Sequence, residues 1–139
     1  MTRTESVAFA SRGIPNIIKL DLFPIKHGGK VNLIFESKNS PWRQGVFLKT
    51  NLGMIVNEIQ CPAVILWFDT SPREIPIICN STDGNLIAYN IWDKGSGKES
   101  QAWTSGMKIE ELINGRRYSC NDIGFDTHFD KLVFRLENA

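Results

Sequence analysis

Asn80–Trp92, NSTDGNLIAYNIW, is the stretch from which the fold is read. Asp83-Gly84 is a strong two-residue turn signal, because glycine accepts the positive φ that tight hairpin turns need. Folded as a hairpin, the stretch pairs Thr82 with Asn85, Asn80 with Ile87, Cys79 with Ala88 and Ile78 with Tyr89. One face then carries Ile78, Ile87, Tyr89 and Ile91, and the other Ile77, Cys79, Leu86, Ala88 and Trp92. Neither face has a polar stripe. A sheet that is apolar on both sides is covered on both, by this chain or by a second copy of it.

Working outward, the same period-two pattern recurs. Ile18, Leu20 and Leu22 alternate with Lys19 and Asp21, and Val31, Leu33 and Phe35 follow after His27-Gly28-Gly29, which reads as a second hairpin. Val46–Thr50 and Met54–Ile59 are short strands around Asn51-Leu52-Gly53. Pro62 opens AVILWF, a run without alternation that reads as a fully buried strand. Asn114-Gly115 predicts a third hairpin, pairing Ile113 with Arg116, Glu111 with Tyr118 and Ile109 with Cys120. Lys131–Leu136 closes the series. Roughly nine short strands without a long amphipathic helix predict an all-β, single-domain antiparallel β-sandwich, with jelly-roll, C2-like and immunoglobulin-like topologies all open. Residues 14–139 form that domain, and residues 1–13, small and polar, are expected to be a flexible lead-in.

Composition narrows the function classes. The 139 residues are 42% apolar and 22% charged with a net charge of +1, as in ordinary globular domains. No basic run follows a phosphate backbone, so nucleic acid is excluded as a partner. No apolar run is long enough to span a bilayer, and the N-terminus lacks a signal-peptide core, so no membrane partner and a cytoplasmic location are expected. Three cysteines, Cys61, Cys79 and Cys120, lie in or beside apolar strand-like runs, which suits a reducing compartment. Gly97-Lys98 resembles the end of a phosphate loop, but Glu99 stands where Ser or Thr is needed and Asp93 where the first Gly is needed.

Two regions could carry chemistry. The segment CNDIGFDTHFD, Cys120–Asp130, gathers Asp122, Asp126, His128 and Asp130, hard ligands that suit Ca²⁺ or another divalent metal if the loop curls, although no EF-hand spacing is present. Otherwise its carboxylates bond local backbone, while Phe125 and Phe129 anchor the loop. Cys120 beside His128 could form a nucleophile–base pair, or be an inert buried thiol. Glu110 and Glu111 point to opposite faces of a strand and are expected to balance Arg116 and Arg117 across the turn. The second region is aromatic. Trp42, Arg43, Trp92, Asp93, Trp103 and Asn121 fall in or beside predicted loops, with Trp42 and Trp103 in polar surroundings.

These observations point to a non-enzymatic recognition module that binds a protein partner or a carbohydrate through its loops and needs no cofactor. A small metal-dependent hydrolase or isomerase using Asn121–Asp130 is the alternative, and a structural subunit forming a homodimer is a third.

Overall fold

Alternating apolar side chains, broken every few residues by Gly, Pro, Asn or Asp, convert most of the chain into strand. In the computed structural model, which describes residues 2–139, the elements are β1 (Thr4–Glu5), α1 (Val7–Ala10), β2 (Ile17–Pro24), β3 (Gly29–Lys38), β4 (Arg43–Val56), β5 (Ile59–Trp67), β6 (Glu74–Cys79), β7 (Asn85–Asp93), β8 (Lys98–Glu99), β9 (Gly106–Leu112), β10 (Gly115–Asn121) and β11 (Leu132–Asn138). All pairings are antiparallel, so the all-β expectation holds. The expected sandwich does not. One sheet runs β2-β9-β10-β11-β3-β6-β4-β7 and returns to β2, a closed barrel of eight strands, with β1, β5 and β8 attached outside the ring. Closure hides the strand edges that an open sheet exposes. The inward residues of these strands, among them Phe23, Leu33, Leu48, Ile77, Leu86, Met107, Tyr118, Phe134 and Leu136, form one core with almost no exposure.

Two of the expected hairpins are not hairpins. β6 and β7 both run antiparallel to β4, so they run in the same direction and lie end to end along one edge of it: Ile77–Cys79 face Val56–Met54, and Ile87–Asp93 face Lys49–Arg43. β2 and β3 behave alike, β2 pairing with β7 and β3 with β6. The chain jogs at Asp83-Gly84 and at His27-Gly28 instead of reversing. The two jogs face one another, with Ile25 N–H donating to Gly84 O (2.9 Å), Gly28 N–H to Cys79 O (2.8 Å) and Ser81 N–H to His27 Nδ1 (3.1 Å). Turn residues specify a local bend, and tertiary hydrogen bonds decided where the flanking strands went.

The third hairpin is real but slipped by two. β9 and β10 pair Leu112 with Gly115, Glu111 with Arg116 and Glu110 with Arg117. The slip places the expected charge pairs side by side, with Arg116–Glu111 and Arg117–Glu110 each at 2.8 Å. A side chain at 115 would collide with the Leu136 carbonyl of β11, which is why glycine stands there. An equally tight hairpin lies elsewhere: Asn57 and Glu58, both with positive φ, turn β4 into β5. β5, which holds most of the AVILWF run, is an edge strand and half-buried, not the fully buried strand that its composition suggested.

Of the expected flexible lead-in 1–13, residues 4–10 form a short strand and a helical turn packed on the domain, and Met1 lies outside the described residues. Ser6 caps α1, its Oγ accepting from Phe9 N–H (3.2 Å), and α1 buries Phe9 against Phe125 and Phe129, with ring centroids 5.3 Å apart in both cases. β1 lies beside β2.

The barrel has one imperfect seam. β2 pairs with β9 only at Ile17 and Ile18. Beyond that point side chains complete the wall: Gln101 Nε2 donates to Lys19 O (2.8 Å) and Arg116 Nη1 to Leu22 O (3.0 Å). Inside the seam Asp21, with no exposure, accepts from Arg3 Nε (2.8 Å), Arg116 Nη1 (2.9 Å) and Tyr118 Oη (2.6 Å). Burial and the adjacent carboxylate push the Tyr118 hydroxyl well above its ordinary range, so it stays a donor.

Candidate binding rim at one end of the barrel

At one mouth of the barrel β3, β7 and β10 end while β4, β9 and β11 begin, as the pairs Arg43–Asp93, Asn121–Gly106 and Leu132–Lys38 show. The loops at this mouth therefore meet. Alternation should bring apolar residues inward at 44 and 90, in line with Val46 and Leu48 on β4 and with Leu86 and Ala88 on β7. Gln44 and Asn90 stand there instead, buried at 0% and 2% exposure. Gln44 Nε2 donates to Asp122 Oδ2 (3.0 Å), which also accepts from Ser40 Oγ (3.2 Å), while Asp122 Oδ1 takes Ile123 N–H (2.7 Å). Asn90 Nδ2 donates to Asn121 O (3.0 Å). These bonds cap the apolar core with a polar plug and tie the loops around it. Gln44 Oε1, Trp92 Nε1 and Asn121 Oδ1 are buried without a partner among the described residues, which leaves this plug less fully bonded than the seam.

Asn121 is scaffolding, not surface. Fully buried, its Nδ2 donates to Thr104 O (3.0 Å) and to Gly124 O, and Gly124 N–H donates to Thr104 Oγ1 (2.6 Å). Loops 100–105 and 122–131 are thereby fastened together. They present Trp103, 64% exposed, and Ile123, 39% exposed. Trp42, half-buried, lies on the rim beneath Lys94, whose Nζ is 5.5 Å from the ring centroid. Arg43 is engaged twice, donating to both Asp69 oxygens at 2.9 Å and stacking 4.4 Å from the Trp67 ring.

Other expected site residues lie elsewhere. Trp92 is wholly buried and belongs to the core, not to a loop surface. Asp93 accepts from Gly95 and Gly97 N–H (2.7 and 3.2 Å) and shapes its own loop. Of the four metal candidates, the structure brings Asp126 and His128 into contact (2.6 Å), while Asp122 points into the plug and Asp130 accepts from Asn39 (2.7 Å). Among the described residues no group of three or more His, Cys, Asp or Glu converges as a metal site. The His128 backbone N–H, then Lys131 and the His128 ring, hold the Asp126 carboxyl well below the usual carboxylate range. Cys120 is fully buried, and burial followed by Asp122 raises its thiol well above the ordinary value. His128 has an exposed side chain and does not touch it. As expected, Phe125 and Phe129 are the anchors of this loop.

Sequence reading missed Gln44, Asn90, Ser40, Thr104 and Ile123. The signal for the first two was present, since each is a polar side chain at an inward position of an otherwise apolar alternation.

No protein-family model matches the chain, and no curated protein matches it. Among solved structures it is similar to the Chromobacterium violaceum lectin CV2L, in complex with alpha-methyl-fucoside. The two share 16% identity over 85% of this chain and 94% of the lectin, with a TM-score of 0.44.

Proposed function

We propose that this chain is a recognition module that binds carbohydrate on the rim carrying Trp103, Ile123 and Trp42. The observation that supports the reading most is the 64% exposure of Trp103 on a loop tied down by Asn121 and Thr104. Exposing an indole forgoes its burial energy, and a fixed ring offers a flat apolar face at little further entropic cost. The apolar area is that of one or two side chains. This suits one face of a sugar ring better than a protein interface, which buries about 800 Å² per partner. Polar neighbours on the same loops, Gln101, Thr104 and Ser100, suit hydroxyl recognition.

The test is a glycan array followed by titration of intrinsic tryptophan fluorescence. A defined set of glycans should bind and quench the signal, and Trp103→Ala should weaken binding by at least about tenfold, as for a central aromatic anchor. Binding that is unaffected by Trp103→Ala, or an array silent at high protein concentration, overturns the reading.

A further inference from the structure

We propose that the free edge of β5 joins the same edge of a second copy of this chain, extending the sheet across a two-fold axis. β5 pairs only with β4, and its opposite edge has no strand beside it among the described residues. The geometry says which backbone groups face outward. Phe68 N–H donates to Gln44 O (2.9 Å) around the Trp67–Gly45 pair, so Trp67 occupies a non-hydrogen-bonded position toward β4. By alternation Ile65 and Ala63 do as well, and all three turn their own N–H and C=O away from β4. The Trp67 carbonyl is taken by Ser71 N–H (3.0 Å), and the other five groups have no partner among the described residues.

Proteins that keep an edge solitary use charge, proline, a bulge or a cover. Pro62 and the register shift opposite it blunt the first half of β5, but Ala63–Trp67, AVILW, has neither charge nor proline, and the whole of Ile59–Trp67 carries no charged residue. A copy of the strand therefore meets no like charge. With Ile65 on the axis, the two Ile65 residues exchange both backbone bonds, and each Trp67 N–H donates to the other copy's Ala63 carbonyl. This register is also complementary in size, since each Trp67 side chain lies opposite an Ala63.

The side chains of the same residues continue an apolar outer face. Leu22, Ile87, Tyr89, Phe47, Ile65 and Trp67 share it by register and are half-buried, with Phe47 and Tyr89 stacked at 4.7 Å. Trp67 lies flat across Gly45, where a Cβ would come within 2.8 Å of its ring. Pairing through β5 doubles this face into one continuous surface. It places the interface on β5, away from the strand pair to which the sequence first assigned it.

Light scattering after size exclusion, from low to high micromolar protein, should show a twofold rise in mass. Ile65→Lys and Ile65→Glu each set like charges facing across the axis and should return the monomer, and mixing the two variants should restore the twofold mass. Hydrogen exchange on the unaltered protein supplies an independent reading: the Ile65 and Trp67 amides should become protected as concentration rises. A monomer at every concentration overturns the proposal. So does a dimer indifferent to Ile65→Lys, one in which those amides exchange freely, or a chain that stays monomeric while an apolar peptide of another protein protects them.

Discussion

The seam and the mouth of this barrel each bury a carboxylate, and they do so by opposite means. Asp21 in the seam faces two guanidinium groups and a phenol, whereas Asp122 at the mouth faces an amide, a hydroxyl and a backbone N–H. In the seam, positive charge is drawn into the wall, and Arg116 uses the remainder of its fork to stand in for a missing strand pairing. At the mouth, neutral donors hold the negative charge, and the bonds run from loop to strand. The seam secures closure of the ring, and the mouth secures the position of the loops that reach solvent.

Removing each carboxylate should separate the two roles. Asp21→Ala leaves Arg116 with its charge largely out of water and no buried counter-ion, so urea unfolding should show a loss of about 3–5 kcal/mol. Asp122→Ala strips Gln44 and Ser40 of their acceptor and should cost about 1–3 kcal/mol. Its distinguishing effect is faster hydrogen exchange in residues 122–131, with the seam unchanged. Trp103→Ala should alter stability by no more than about 0.5 kcal/mol, as for an exposed side chain, while removing ligand binding. Equal losses of stability for Asp21→Ala and Trp103→Ala would break the comparison.

The smallest effect is electrostatic. The depressed carboxyl of Asp126 contributes stability that is fully present above the ordinary carboxylate range and disappears as pH falls through its lower folded value. Glu36 acts in the same direction: burial alone would raise its carboxyl, but Arg117 and Arg135 outweigh burial and lower it. Stability measured from neutral pH downward should decline only in the acid range. Asp126→Asn should flatten the lower part of that curve by lowering its neutral plateau by the same small amount, small because both Asp126 and its partner Lys131 reach solvent.

The fold class was legible because alternation is a local property, and so were the pairs Glu110–Arg117 and Glu111–Arg116, which sit across a short turn. Strand partnership was not. Asp83-Gly84 and His27-Gly28 carry every residue-level mark of a hairpin, and what redirected them is a set of bonds from one jog to the other, more than fifty residues apart in sequence. β5 misled differently. A run without alternation reports hydrophobicity on both faces, and that fits an edge awaiting a partner as well as a strand with two neighbours. At the mouth, the exposure of Trp103 was readable from its polar company. Trp92 has an adjacent loop too, but it shares the inward parity of Leu86 and Ala88, and parity decided its fate.

The place of β11 has a consequence for how the molecule comes to exist. Leu132–Asn138 is wedged between β10 and β3, so a strand late in the sequence joins the middle of the sheet to its beginning. Synthesis proceeds from the N-terminus, and no growing chain can complete the ring before residue 138 has cleared the ribosome. Until then Leu33 and Phe35 on one side and Tyr118 on the other lack the strand that covers them.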